Sequence, residues 1–328
     1  MSFEGIKGQD RAVKTLTESL CLGRIFSNYL FVGPEGSGKF LTAKAFAKAV
    51  NCLSGTEKPC PGCISCRKID ANVHPDVFFV EPKGVSSVIG IDSIRGVIAE
   101  ASLKPYEGKK KVFIINDAHY MNNEASNAFL KTLEEPPGNT IFILISRSEK
   151  AVLPTIASRC HLIKFFAAPC KLVKQVLKEG FGIDEKEAEL LANFSSGRIG
   201  KAVNMKKRNL IEKKNRLIDS LVFLKNASRT DLSGELGSYD TREGLKENIE
   251  FLLSYFRDIF IYKNVRDEGT LLNTDRTGEV KESCKRFTQE ELECITKEIL
   301  TLVSYVDYNV NAKIIIDVLT NRLWRHYE

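Results

Sequence analysis

The chain has 328 residues, 43% hydrophobic and 27% charged, with a formal net charge of +6. This is enough apolar surface for two or three packed domains, and it excludes a disordered tail, a collagen-like fibre or a small disulfide scaffold. The mild positive charge permits nucleic-acid contact without arguing for it. Ser2 to Asp10 is polar and the longest apolar runs are strand-sized, so neither a signal peptide nor a membrane span is expected, and the protein is read as cytoplasmic.

The first strand, Tyr29 to Val32, runs into Gly33-Pro34-Glu35-Gly36-Ser37-Gly38-Lys39-Phe40. The string fits the phosphate-binding pattern G-x-x-x-x-G-K, in which backbone N–H groups and a helix N-terminus cradle phosphate and the lysine neutralises it. By chance it turns up in about one chain in ten of this length. The strand before it and the helix-spaced Leu41, Ala45, Phe46 and Ala49 after it supply the required context. Phe40, however, stands where a Ser or Thr hydroxyl holds magnesium. Thr42 is a poor rescue, because two residues along a helix turn about 200° round the axis. Binding of ATP or ADP is left open by this loop, while hydrolysis is put in doubt.

Four of the nine cysteines, Cys52, Cys60, Cys63 and Cys66, follow the loop helix within one short insertion. In a reducing compartment such a cluster reads as metal-binding, and four thiolates close a tetrahedron around one structural zinc, with Pro61 and Gly62 supplying the turn. An iron–sulfur cluster is the rival, but the C-x3-C-P continuation is missing after Cys66. The scattered Cys21, Cys160, Cys170, Cys284 and Cys294 are expected to be small buried apolar residues.

Further strands are expected at Val77 to Val80, Val112 to Ile115, Ile141 to Ile145 and Leu162 to Phe166. They alternate with helices over Asp92 to Leu103, with Asp92 as N-cap, and Asn123 to Glu134, stopped by Pro136-Pro137. The third strand ends in Asn116-Asp117-Ala118-His119. A phosphate-loop ATPase needs a carboxylate here for magnesium and a second acid for the attacking water. Asn116 supplies an amide at the first position, and the shorter Asp117 stands at the second. His119 has no partner nucleophile and reads as structural, and Ser146 directly follows the fourth strand. The runs Lys109 to Lys111 and Lys206 to Arg208 read as solvated faces. After Pro169 the signals are helical: Lys171 to Glu179, Glu185 to Phe194 and most of the chain from Arg208. The stretches Arg229 to Glu247 and Asn264 to Glu290 read as linkers.

These residues resemble the clamp-loader subunits of the AAA+ class that serve bacterial DNA polymerase III. The likeness runs through Gly8-Gln9, Tyr29 to Pro34, the cysteine cluster, Ile94-Arg95, Asn127 to Pro137 and Ile156 to Cys160, and again through Tyr308 to Asn311 and the helix from Ala312 to Leu323. It implies an α/β AAA+ module over residues 1–168, a parallel sheet wound with helices and carrying the phosphate-binding loop. An all-α lid over 169–207 and an all-α collar over 208–328 follow. It also implies a five-subunit ring with motor (gamma or tau) and delta subunits, loading a sliding clamp onto primed DNA. Arg159, in Ser158-Arg159-Cys160, matches the family's arginine finger for a neighbour's ATP, and Arg95 shifts toward a DNA-facing role. Where the motor subunits carry a loop hydroxyl, an Asp-Glu pair and a sensor arginine, this chain has Phe40, Asn116-Asp117 and Gly200, with Arg198 two residues before the last. These losses fit a rigid, non-hydrolysing stator. An active motor subunit and a zinc-containing nucleic-acid or protein adaptor are the two alternatives.

Overall fold

A computed structural model describes residues 3–54, 59–82, 88–222, 229–239, 241–308 and 310–327. The chain divides into two compact units, Met1–Val176 with Ser196–Lys201, and Leu177–Ser195 with Ala202–Glu328. In the first, the elements run α1 (Asp10–Cys21), β1 (Asn28–Val32), α2 (Lys39–Asn51), α3 (Ile64–Asp70), β2 (Val77–Val80), α4 (Ile91–Ala101), β3 (Lys111–Ile115), α5 (Asn123–Glu134), β4 (Thr140–Ser146), α6 (Pro154–Ala157) and β5 (His161–Lys164). The strands form one all-parallel sheet in the order β2-β3-β4-β1-β5.

β1 is buried along its whole length because both faces are covered. Tyr29 and Phe31 pack with Leu16, Phe46 and Ile69 on one side, and Leu30 and Val32 pack with Ile94, Phe129 and Phe142 on the other. This two-sided cover is what a continuous apolar strand requires. The doubly wound sheet leaves its crevice at the C-terminal strand ends beside β1, where the chain jumps to β2 at the far edge.

Two expectations within this unit need correction. The fourth helix is capped by Gly90, and Asp92 lies in its first turn, where its charge meets the helix dipole instead of capping. An Ile89–Met121 bridge fixes the chain just before Gly90 and so starts the helix earlier. The lysine run is not uniformly solvated: Lys111 is buried and pairs with Glu100, while Lys109 Nζ donates to Cys52 O at 2.7 Å.

Asp76, fully buried before β2, accepts N–H bonds from Tyr106, Glu107 and Gly108 at 2.7, 2.8 and 2.6 Å. Burial pushes its carboxyl up, but the three donors outweigh it and hold the pKa below the ordinary carboxylate value. The stability it contributes is therefore present above the unfolded value near ~4 and is lost as pH falls through the lower folded value. Asp76→Ala orphans three amides and is expected to cost about 3 kcal/mol at neutral pH. In urea unfolding at a series of pH values, the gap between wild type and variant should narrow below about pH 4.

After β5 the chain is helical, through α7 (Cys170–Phe181), α8 (Glu185–Ser195), α9 (Ile199–Lys207), α10 (Leu210–Val222), α11 (Arg229–Gly237), α12 (Arg242–Val265), α13 (Thr277–Arg286), α14 (Gln289–Asp307) and α15 (Ala312–Tyr327). The first parts of α7 and α9 belong to the first unit and the rest forms the second. Both supposed linkers are thus largely helical. α11 buries Leu232 and Leu236, and Thr241 caps α12 through Gly244 N. Between α12 and α13 the chain is held by polar groups: buried Asp258 accepts from Leu272 N, Asn273 N and Asn273 Nδ2. Lys214, also buried, pairs with Asp275 at 2.8 Å. A segment fixed by buried hydrogen bonds carries no apolar periodicity to read. Three of the five scattered cysteines, Cys21, Cys170 and Cys294, are exposed, and Cys160 and Cys284 are only partly buried, against expectation. Of the residues matched near the C-terminus, Asn309 lies outside the described residues.

Candidate functional site

The loop Gly33 to Lys39 joins β1 to α2 at the C-terminal edge of the sheet. Lys39 is buried, and its ammonium donates to Gly33 O at 2.6 Å and Pro34 O at 2.8 Å. Burial lowers its pKa, against the pull of Asp117 and Glu35. Gly36 takes φ +73° and its carbonyl accepts from Gly200 N at 2.8 Å. A Cβ at Gly36 would meet Lys201 N at 2.7 Å, and one at Gly200 would meet Gly36 at 3.0 Å. Two backbones touch here because both residues are glycine. Position 200 thus meets the loop through its backbone. The Ser37 hydroxyl is buried without a partner among the described residues, so it is one group that a phosphate oxygen could satisfy.

The catalytic positions around the loop are otherwise committed. Phe40 packs on Phe79 of β2, ring centroids 5.6 Å apart, both half-buried against the core. Thr42 Oγ1 donates back to Gly38 O at 2.9 Å. Asn116 is half-buried at the end of β3, its N–H on Val80 O, and Asp117 holds a left-handed backbone at φ +50°. Ser146 Oγ donates to Ser148 O at 2.9 Å. His119 packs against Tyr120, its Nδ1 buried without a partner among the described residues, and burial with nearby Arg147 lowers its pKa. A magnesium nucleotide does not fit this set: the metal finds neither a hydroxyl at position 40 nor a carboxylate at position 116.

The cysteines converge as the spacing requires. One sulfur from each of Cys52, Cys60, Cys63 and Cys66 lies within 4.8 Å of the others. Cys63 N donates to Cys60 Sγ at 3.3 Å and Cys66 N to Cys63 Sγ at 3.4 Å. Such amide donors stabilise thiolate, the form that binds metal. The Cys63 thiol is pushed up by burial, but the amides of Cys66 and Leu53 outweigh it and bring it to about 6. This donor set fits a closed tetrahedral zinc. The insertion docks through Ser65 Oγ on His74 Nε2 at 3.2 Å and Lys68 on Glu107 at 2.7 Å.

Arg159 sits at the other end of the sheet. It lies two residues before β5, and its carbonyl accepts from Asn28 Nδ2, at the start of β1. Its Nε donates to Glu134 Oε1 at 2.9 Å, Nη2 binds the same oxygen, and Nη1 donates to Thr155 O at 2.8 Å. Asn28 also holds Leu133 O, so the end of α5 and the Arg159 turn are fixed together. Glu134 and Asn28 escaped the sequence reading. Glu134 belongs to the Leu-Glu-Glu-Pro-Pro string, and that shared motif was the only signal. Arg95 is exposed on α4 and pairs with Asp92 at 3.8 Å.

Two family models match, described as "DNA polymerase III, delta subunit" over residues 8–169 and "DNA polymerase III, delta subunit, C terminal" over residues 208–325. The DNA polymerase III subunit delta' of Bacillus subtilis is 29% identical over 90% of this chain and 89% of its own length. The gamma subunit of Buchnera aphidicola is 32% identical over 83% of this chain and 71% of its own. The chain spans only about half, 52%, of the B. subtilis tau subunit, at 31% identity. A solved gamma-subunit-related protein from Thermotoga maritima aligns over 95% of this chain and 99% of its own at 19% identity, with a TM-score of 0.47. Among the described residues, no helix is long and apolar enough to cross a membrane. The chain belongs to the DNA polymerase III clamp-loader subunit family, with the delta', gamma and tau subunits among its relatives.

Proposed function

We propose that this chain is the delta-prime-like stator of a DNA polymerase III clamp loader, without ATPase activity of its own and supplying Arg159 to a neighbour's ATP. The observation that carries the reading is a separation along β1. Arg159 is tied to Asn28 at the first residue of the strand, while the loop begins after Val32, its last. At about 3.3 Å per residue the two ends are some 15 Å apart, beyond an arginine anchored to Glu134 and Thr155. A guanidinium so placed serves a nucleotide only on another chain. The packing of Phe40 on Phe79 and the amide at Asn116 support a loop that does no chemistry. In this reading the chain assembles with motor (gamma or tau) and delta subunits into a ring that loads the sliding clamp onto primed DNA. Its lid and collar follow the division 1–168, 169–207 and 208–328, supported by family matches that stop at 169 and resume at 208. The cysteine insertion holds one structural zinc, and Arg95 faces DNA.

A motor subunit is the second reading, favoured by the 31% identity to B. subtilis tau. Turnover by the isolated protein separates the two. With both magnesium ligands missing, hydrolysis is expected to fall orders of magnitude below ~1 per second. Turnover near that rate, abolished by Lys39→Ala, would favour the motor. Failure to co-purify with gamma or tau and delta would point to an adaptor instead.

A further inference from the structure

α14 begins in a capping box, with Thr288 Oγ1 accepting from Glu291 N and the Glu291 carboxylate accepting from Thr288 N. Its Cys294 and Glu298 are four residues apart and so share one face. The short connection to α15 makes the two helices antiparallel neighbours. Leu292, Ile295, Ile299 and Leu302 are buried on α14, and Ile315, Ile316, Leu319 and Leu323 on α15. The last turn of α15 thereby comes beside the first half of α14, with His326 Nε2 4.0 Å from Glu298 Oε2. One donor atom from each of Cys294, Glu298 and His326 lies within 4.8 Å of the others.

We propose that Cys294, Glu298 and His326 form a second metal site, open at one position and suited to zinc. The ligand atoms of a tetrahedral zinc, with bonds of about 2.0 to 2.3 Å, lie about 3.3 to 3.7 Å from one another. Closing this set therefore needs shifts of about 1 Å at the tips of side chains that are exposed or only partly buried. A thiolate, an imidazole and a carboxylate together select a borderline-soft cation over magnesium or calcium. With three protein ligands, the fourth position takes water or a donor from another molecule. The surrounding charge explains why this site is weaker than the four-cysteine cluster. Arg322 Nη1 stands 3.7 Å from Glu298 Oε1 and competes for that carboxylate, leaving the other oxygen toward His326. Glu291 also faces His326 and partly offsets the arginine.

Zinc counting on the full-length protein tests the proposal. Material purified without added zinc should carry about one equivalent, and after equilibration with excess zinc and gel filtration about two. Cys294→Ser and His326→Gln should each remove only the added equivalent and leave the circular dichroism unchanged, since neither side chain is buried. Cobalt(II) at this site should give a single-thiolate charge-transfer band that Cys294→Ser abolishes. Uptake that stops at one equivalent, or a second equivalent that survives both substitutions as an adventitious ion, overturns the proposal.

Discussion

Replacing Arg159 with Ala is expected to leave the chain folded and able to join its ring, while lowering hydrolysis at the single nucleotide site it serves by about 10³ to 10⁵. The folded state loses little. The Arg159–Glu134 pair is partly solvated, and exposed pairs of this kind contribute only about 0 to 1 kcal/mol. The Asn28 bond goes to the Arg159 carbonyl and survives the change. The catalytic loss is large because a guanidinium binds transferring-phosphoryl oxygens through a rigid fork and meets charge only as it develops. Arg159→Lys should rescue little, a point charge being unable to reproduce the fork. Glu134→Ala is a milder test. It frees the guanidinium without removing it, so the rate should fall a few-fold at most, from lost orientation. A loss as deep as that of Arg159→Ala would make Glu134 itself part of the chemistry.

Cys63→Ser should strip the zinc from the insertion and expose the segment between α2 and β2 to proteolysis. On the proposed zinc reading, zinc-finger peptides set the scale: apparent zinc binding there corresponds to about 10 to 16 kcal/mol, enough for the insertion to depend on its metal for order. The sheet should survive. Its two cores are built mainly from α1, α2, α4, α5, α6 and the strands, and of the insertion's helix only Ile69 enters them. Metal analysis with limited proteolysis checks both halves of this expectation. Zinc retained by the variant, or unfolding of the whole first unit, would contradict it. Broad visible absorption of the wild-type protein would point to iron–sulfur instead.

The sheet was legible because its central strands β1, β3 and β4 are buried along their whole length, and the Pro136-Pro137 stop and Asn122 cap fix the Asn123–Glu134 helix. The edge strand β5, with His161 and the exposed Lys164 in it, runs from His161 to Lys164 where Leu162 to Phe166 was expected. The cysteine cluster was legible from spacing alone. The second supposed linker was misread because Asp258 and Lys214 hold it with buried polar contacts, which leave no periodic trace, and the first because α11 is short and, among its described residues, buries only Leu232 and Leu236. The Cys294–Glu298–His326 set was invisible for another reason. Its third member is distant in sequence, and a Cys and Glu four apart on a helix signal nothing by themselves. At the loop the motif defects were plain, but three engagements were not. Lys39 binds its own loop carbonyls, Gly200 touches the loop through its backbone, and Phe40 lies half-buried against the core. Each depends on a contact between residues that a linear motif treats one at a time.

The central claim, an arginine that acts only across a subunit boundary beside a silent loop, is tested most directly by the burst of ATP hydrolysis in a ring rebuilt with motor and delta subunits. Loaded with nucleotide and triggered with primed DNA and clamp, the Arg159→Ala ring should bind as much ATP as wild type but hydrolyse about one nucleotide fewer per ring in the fast phase. A Lys39→Ala ring should match wild type. An unchanged burst with Arg159→Ala, or a burst diminished by Lys39→Ala, would contradict the reading.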